Sequence, residues 1–298
     1  MKVAIFYEKT EKAVSDTLAD IMKAHQCAAV CYQTDTLWDS GVDADPSDLL
    51  QEITHILFIC AKDVTHLDSA STFFFGMGVG KNLSIIVVQQ GCIPLPENCR
   101  QFAVMLTLDT FEDYFIKEQQ DFLVAERKRL AHEALLNLSR SCIDSNFATA
   151  VQEGKYEIVR LFLEAGFNAS QRDTRGTPVL SLAVRNSHYE IASLLLDYGS
   201  DINLCAEDRA YSALMEAAQI GDLKTAQLLL SKNADTNIQG KNGQTALIFA
   251  VGRKDVPMVK LLIEHHADWN IADRLGMSAL GYAKLFNNKE ILEAMQQP

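Results

Sequence analysis

Hydrophobic positions along the chain follow two different periods, and the change from one to the other divides it. In the N-terminal part, short apolar runs recur at 2–7, 27–32, 55–60, 83–88 and 102–106. Lys2-Val3-Ala4-Ile5-Phe6-Tyr7 and His55-Ile56-Leu57-Phe58-Ile59-Cys60 are typical: continuous and β-rich, the pattern of strands buried on both faces. Between them the period changes to helical. Val14, Leu18, Ile21 and Met22 share one face of a helix over 11–25, and a second helix is expected over 69–80. Thr34 to Pro46 reads as a long polar loop, with Asp45-Pro46-Ser47-Asp48 as a helix start. Strand–helix alternation of this kind predicts an α/β domain with a doubly wound, parallel sheet.

A long helix is expected next, over 111–140, with Phe111, Tyr114, Phe115, Phe122, Leu123, Ala131, Leu135 and Leu138 as its apolar positions. No Gly or Pro occurs between Cys99 and Gly154, so this helix is expected to join two domains rigidly. Its stripe Phe122, Ala131, Leu135 and Leu138 is expected to cover the open apolar face of the C-terminal domain.

The C-terminal half is a repeat. Ala150, Ala183, Ala217, Ala250 and Ala283 stand 33, 34, 33 and 33 residues apart. Sixteen residues after each of the first four comes a helix-ending slot: Gly166, Gly199, Asn233 and His266. Two residues further lies a short polar side chain, Asn168, Asp201, Asp235 or Asp268. Pairs of large apolar residues precede each stop, from Phe162-Leu163 to Leu262-Ile263. Each unit thus reads as a short helix, a tight turn (Gly154, Ser187, Gly221, Lys254 or Asn287), and a second helix. Gly176, Gly243 and Gly276, with Ala210 once in their place, mark the hairpin before the next unit. A fixed period in the thirties means stacked units that bury their apolar faces against each other.

Thr245-Ala246-Leu247-Ile248-Phe249-Ala250 occupies the place of the T-P-L-H-x-A signature of ankyrin repeats, and "GKYEIVRLFLEAGFN" at 154–168 resembles their second-helix run. Residues 143–298 therefore resemble an ankyrin-repeat solenoid of four full repeats and a truncated fifth, following a connector at 119–142. Residues 1–118, by element order and "HILFICAKDVTHLDSASTFFFGMGVGKNLSIIVV", resemble the flavodoxin-like units of the TIR-like and nucleoside deoxyribosyltransferase-like groups. In those groups the helix after the third strand carries a catalytic Glu. The resemblance puts that position at Phe74 or Phe75, which implies a domain without glycosidic turnover.

Composition narrows the function classes. The net charge of −12 lacks the basic face that nucleic acid requires. No apolar run reaches the ~20 residues of a membrane span, and the N-terminus turns polar too early for a signal peptide. Seven cysteines without metal spacing read as reduced, buried thiols of a cytoplasmic protein, and no metal or other cofactor is expected. Gly76-Met77-Gly78-Val79-Gly80-Lys81 is not a phosphate loop, because Phe75 and Asn82 stand where Gly and Ser/Thr are needed. Its glycines are expected to allow close helix–sheet packing, with Gly80 capping the helix and Phe73-Phe74-Phe75 filling core and domain interface. The basic run 126–130 is expected to be a solvated face paired with Glu118 and Glu133. Between Lys23 and Lys62 there is no Lys or Arg, while Asp35, Asp39, Asp43, Asp45, Asp48 and Glu52 make 35–52 a candidate surface for a basic partner.

The favoured expectation is a protein–protein interaction module. Ankyrin resemblance puts the partner surface on hairpin tips and the inner-helix face. The tips carry Arg172, Asp173, Arg175, Glu207, Asp208, Arg209, Lys241, Asn242, Asp273 and Arg274. The inner face carries Arg185, Gln219 and Arg253, alongside Gln152 and Asn186. The alternative is an enzyme that binds or hydrolyses NAD or a nucleoside, with the repeats choosing its target; the missing Glu separates the two.

Overall fold

The computed structural model describes residues 1–34, 49–60, 69–89, 101–138 and 144–296, which fall into two compact units, Met1–Glu126 and Arg127–Pro298. Most of the acidic segment 35–52 and the helix start at Pro46 lie outside the described residues, as do Cys92, Cys99 and Cys142.

In the first unit, five strands among the described residues form one parallel sheet: β1 Lys2–Tyr7, β2 Ala28–Gln33, β3 His55–Cys60, β4 Ser84–Gln89 and β5 Ala103–Thr107, ordered β2-β1-β3-β4-β5. The inner strands β1, β3 and β4 are apolar because both faces are covered, whereas the edge strands β2 and β5 are partly exposed. Val3, Ile5, Leu57, Ile59, Ile86 and Val88 pack with Leu18 and Met22 of α1 (Lys12–Ala24) and with Phe111 and Phe115. Alternate residues Ala4, Phe6, Ile56, Phe58, Ile85 and Val87 pack on the opposite face against Phe74 and Phe75 of α2 (Ser69–Gly80).

Phe74 is fully buried and stacks on Phe6 at 4.6 Å, and Phe75 lies 5.9 Å from Phe58. Phe73 departs from the expected core role: it is 45% exposed, one residue round the helix from the face that meets the sheet. Gly78 fulfils the packing expectation, since a Cβ there would come within 2.8 Å of Ile56. Gly80 does not cap the helix. The left-handed residue is Asn82 (φ 54°), whose backbone N–H reaches Val79 O at 3.1 Å. Among the cysteines, Cys27 is buried but Cys31 is exposed, because β2 is an edge strand with one thin face.

Helix α3 (Leu108–Asn137) is 30 residues long. Its N-terminal turns belong to the sheet's core through Phe111 and Phe115; in the second unit, Ala131 and Leu135 belong to the core of the repeats. Of the expected covering stripe, Leu138 is instead 54% exposed, because it lies past the last helical residue. Phe122 sits edge-on to His55 at 5.7 Å. Arg129 pairs with Glu133 at 3.3 Å as expected, whereas Glu118 points to His55.

Ten helices among the described residues then alternate. Inner helices are α4 (Asp144–Gln152), α6 (Val179–Arg185), α8 (Ala213–Ile220), α10 (Ala246–Gly252) and α12 (Ala279–Leu285). Outer helices are α5 (Tyr156–Glu164), α7 (Tyr189–Asp197), α9 (Leu223–Ser231), α11 (Val256–Glu264) and α13 (Lys289–Gln296). All five registered alanines are 0% exposed, and so are Phe162, Leu195, Leu229 and Leu262 on the outer helices. Small side chains on the inner helices let neighbouring backbones approach; the large ones fill the layer between units.

The turn slots hold the backbone the spacing requires. Ser187, Lys254 and Asn287, as well as Asn233, His266 and Ala210, adopt φ between 51° and 63°, in register with glycines at 74° to 93°. Ser212, Thr245 and Ser278 cap their inner helices through hydroxyls at 3.2–3.4 Å from backbone N–H groups. The recurrent polar slot turns each loop: Asn168, Asp201, Asp235 and Asp268 accept from the N–H two residues on at 2.8–3.0 Å.

Leu135→Ala and Leu229→Ala should each cost about 2–5 kcal/mol of the repeat unit's stability in urea unfolding, and Leu138→Ala less than about 0.5 kcal/mol. Equal losses at all three would mean the register is wrong.

Glu11, 3% exposed at the start of α1, gives a pH prediction. Burial, helped by the Glu8 carboxylate and only partly offset by the Glu8 backbone, lifts its pKa from 4.5 to about 7. The folded state therefore holds a proton that the unfolded chain has released, so this group's contribution falls as pH rises from 4.5 to 7. Glu11→Gln should remove a loss on the order of 2–3 kcal/mol between pH 5 and 8. Parallel stability–pH curves for variant and parent would show Glu11 to be ionised throughout.

Candidate functional site

Short hairpins project before α6, α8, α10 and α12, and they are stitched together by their backbones. Glu207 N donates to Gly176 O at 3.1 Å, Lys241 N to Arg209 O at 2.8 Å, and Arg274 N to Asn242 O at 2.9 Å. This ladder fixes the spacing of the tips, so their side chains form one continuous row beside the inner helices.

The candidate residues divide by what they touch. Asp173 and Asp273 build their own hairpins: Oδ1 of the first accepts from Arg175 N and Thr177 N, and that of the second from Leu275 N and Met277 N, at 2.8–3.0 Å. Asp273 Oδ2 also takes the Tyr282 hydroxyl at 2.7 Å. Burial favours its neutral acid, but the Tyr282 hydroxyl and the two backbone N–H groups outweigh this and hold its pKa below the ordinary carboxylate value. Arg172 Nη1 donates to Gly176 O and Cys205 O, both at 2.7 Å, tying consecutive hairpins, and its Nε lies 3.7 Å from Glu207.

Arg185 and Arg209 converge on the buried Glu216 of α8, their Nη2 atoms 2.7 and 3.4 Å from its Oε1. Arg209 also meets Asp208 at 3.4 Å and lies over the Tyr211 ring. Arg253 folds back over the turn at Gly221 and donates to Gln219 O at 3.2 Å. Arg175, Lys241, Asn242 and Arg274 are exposed, and among the described residues their side chains make no ion pair or hydrogen bond.

Two hollows open between the inner helices. One of about 290 Å³ is polar, with Gln152, Asp173, Arg175, Arg185, Asn186 and Asp208 in its walls. The other, about 280 Å³, is lined by Gln219, Gln244, Phe249, Arg253, Tyr282 and Phe286, among others. Sequence reading missed its aromatic lining. Tyr282 and Phe286, four residues apart near the end of the last inner helix, had the spacing that would reveal it; their rings stack at 6.0 Å. Phe249, T-shaped on Tyr211 at 5.1 Å, stands directly before the registered alanine Ala250. A third cleft, about 480 Å³, lies on the outer helices beside Tyr156, His188 and Tyr189. His188 there covers the Gly154 turn and bonds Gln152 O at 3.1 Å.

A polar cluster in the first unit also escaped the sequence reading. Glu118 links His55 Nε2 (3.2 Å), Ser84 Oγ (3.4 Å) and the Tyr114 hydroxyl (3.0 Å). His55 stands between the Glu118 carboxylate and the Thr54 hydroxyl, whose Oγ1 lies 2.9 Å from the imidazole's other nitrogen. A nucleophile's hydroxyl must give its proton to the imidazole, whereas the Thr54 hydroxyl donates to Lys2 O at 2.9 Å. Burial lowers the His55 pKa, with Glu118 opposing; the Tyr114 hydroxyl is pushed to about 12, by burial first and then by Glu118. The cluster anchors α3 to the starts of β3 and β4. Among the described residues there is no His/Cys/Asp/Glu group that could hold a metal, and no helix is long and apolar enough to cross a membrane.

Helix pairs stacked at a 33-residue period, with a stitched hairpin row, define a repeat protein whose chemistry is that of recognition. The family model for ankyrin repeats (3 copies) matches residues 128–206 and 214–297. A putative ankyrin repeat-containing protein of Treponema pallidum (strain Nichols) is 41% identical over 290 residues, covering 97% of each chain. Over 110 residues the chain is 33% identical to the ankyrin repeat and KH domain-containing protein mask of Drosophila melanogaster, covering 35% of this chain and 3% of that protein. It is 35% identical over 101 residues to protein HOS4 of Saccharomyces cerevisiae, covering 34% of this chain and 9% of that one. The chain belongs to the ankyrin-repeat family, and its repeats are a protein-interaction module.

Asp273→Ala should cost about 1–2 kcal/mol in urea unfolding, because it strips two backbone N–H groups and a tyrosine hydroxyl of their acceptor. Its neighbour Arg274→Ala should stay within about 0.5 kcal/mol. Equal effects would mean that the hairpin does not depend on its aspartate.

Proposed function

We propose that this protein works as an adaptor that grips a partner protein with the hairpin row and inner helices of an ankyrin solenoid. The observation that carries this is the division among the tip residues. Several side chains are engaged in building the hairpins, whereas Arg175, Lys241, Asn242 and Arg274 stand along the same row with no ion pair or hydrogen bond among the described residues. The backbone ladder holds the loops that carry these side chains in place before a partner arrives, so binding orders side chains alone and not the loops, which favours recognition.

The N-terminal unit, in this reading, is a TIR-like domain of residues 1–118 that does not turn over nucleotides, joined through 119–142 to repeats spanning 143–298. Two observations support it. The strand order β2-β1-β3-β4-β5 is that of flavodoxin-like sheets. The resemblance puts the Glu position of those groups at Phe74 or Phe75, and both side chains are buried in aromatic core. We place the protein in the cytoplasm, and assign any basic partner to the acidic stretch 35–52.

A photo-crosslinking amino acid at position 175, 241 or 274 should capture a partner in cells, and one at 160 or 260 on the outer helices should not. Capture from the outer positions alone would reverse the reading. Purified protein incubated with NAD should release no nicotinamide; time-dependent release lost on mutation within 1–118 would favour the enzyme instead.

A further inference from the structure

The inner face is not uniform in charge. Along the earlier hairpins and inner helices most cations are neutralised from within, Arg175 excepted: Arg172 by Glu207, Arg185 by Glu216, and Arg209 by Glu216 and Asp208. Beyond Ala234 the pattern stops. Lys241 and Arg274 on the tips, with Arg253, Lys254 and Lys284 at the far ends of the inner helices, face no carboxylate within ion-pairing distance among the described residues. The carboxylates on this side, Asp255 and Asp273, are already engaged, one by the N–H of Met258 and the other by its hairpin and Tyr282.

The 280 Å³ hollow has Arg253 in its wall with Phe249, Tyr282 and Phe286, and reaches Gln244 in the hairpin that carries Lys241. Phe286 is 40% exposed, its neighbour Leu285 67%, and Leu275 on the last hairpin 81%. A hollow with three aromatic rings in its walls and cations that no carboxylate neutralises, on a chain of net charge −12, is a local reversal of the protein's own field.

We infer that this end of the inner face binds an extended protein segment with one apolar or aromatic anchor residue flanked by aspartates and glutamates. The anchor fills the hollow against Phe249, Tyr282 and Phe286, and its acidic neighbours pair with Lys241 and Arg274 on one side and Arg253 on the other. The inference rests on the adaptor reading above and adds to it where on the array the partner lands and what chemistry it presents. Desolvated aromatic pockets ringed by charge are where interfaces concentrate their affinity and their specificity.

The experiment is selection of random twelve-residue peptides displayed on phage against the full-length protein, followed by fluorescence polarisation of the enriched peptides. Enriched sequences should share an apolar anchor with Asp or Glu on both sides. Their binding should weaken at least tenfold in the double variant Lys241→Glu/Arg274→Glu, and at least tenfold in Phe286→Ala. It should also weaken as salt rises, and stay unchanged in Arg175→Glu at the other hollow. Unfolding curves matching the parent exclude a folding defect, since all four positions are exposed. Peptides without acidic flanks, peptides insensitive to both variants, or no enrichment above uncoated wells would overturn the inference. Enriched peptides sensitive to Arg175→Glu instead would overturn it while leaving the adaptor reading intact. Failure of the crosslinks in cells would strike the adaptor reading itself.

Discussion

Everything in the repeat unit depends on burial between neighbours. No helix pair here can cover its own apolar side: Leu195, Leu229 and Leu262 are fully buried only because the next inner helix presents a small residue where a bulky one would hold it off. The alanines at 150, 183, 217, 250 and 283 are therefore spacers that set how closely the units approach. That approach in turn brings each hairpin within hydrogen-bonding distance of the next, closing the ladder from Gly176 to Arg274. Recognition is built on this chain of consequences. A side chain such as Arg274 owes its position to a layer of leucines beneath the helices.

The same dependence leaves each end of the array with an open face. At the N-terminal end, Ala131 and Leu135 of the long helix complete the core around Phe147 and Phe162. At the C-terminal end, Ile291 and Met295 are buried on α13, while Leu285 and Phe286 remain exposed. The two ends are thus finished differently: one is covered by apolar residues from outside the repeat pattern, and the other leaves aromatic surface beside unpaired cations. In the sheet unit, burial is two-sided, and continuous apolar strands need helices above and below.

The repeat register was legible in the sequence because a period is a redundant signal: five alanines at nearly equal spacing fix helices, turns and stops together. The backbone bears this out even where the residue is unusual, as at His266 or Ala210, both left-handed. The strand order was not written in any single segment, but the uniformly apolar runs required a parallel sheet. What escaped was local and depended on one or two residues. Asn82 rather than Gly80 takes the left-handed position, because asparagine tolerates it well enough to displace a glycine two residues earlier. Leu138 misses the core by lying one residue beyond its helix. Glu118 leaves the basic run for His55, a partner 63 residues away that no local pattern announces. Among the candidate site residues, spacing found the hairpins but did not separate Asp273, which builds one, from Arg274, which stands free of it.

The central claim is that recognition belongs to the stitched hairpin row and inner helices. Hydrogen–deuterium exchange of the full chain, with and without a partner captured from cells and then purified, tests it most directly. Added protection should fall on the hairpins near residues 240–244 and 273–277 and on the adjoining inner helices, with the outer helices unchanged. Protection confined to the outer helices or to the parallel sheet would contradict the account.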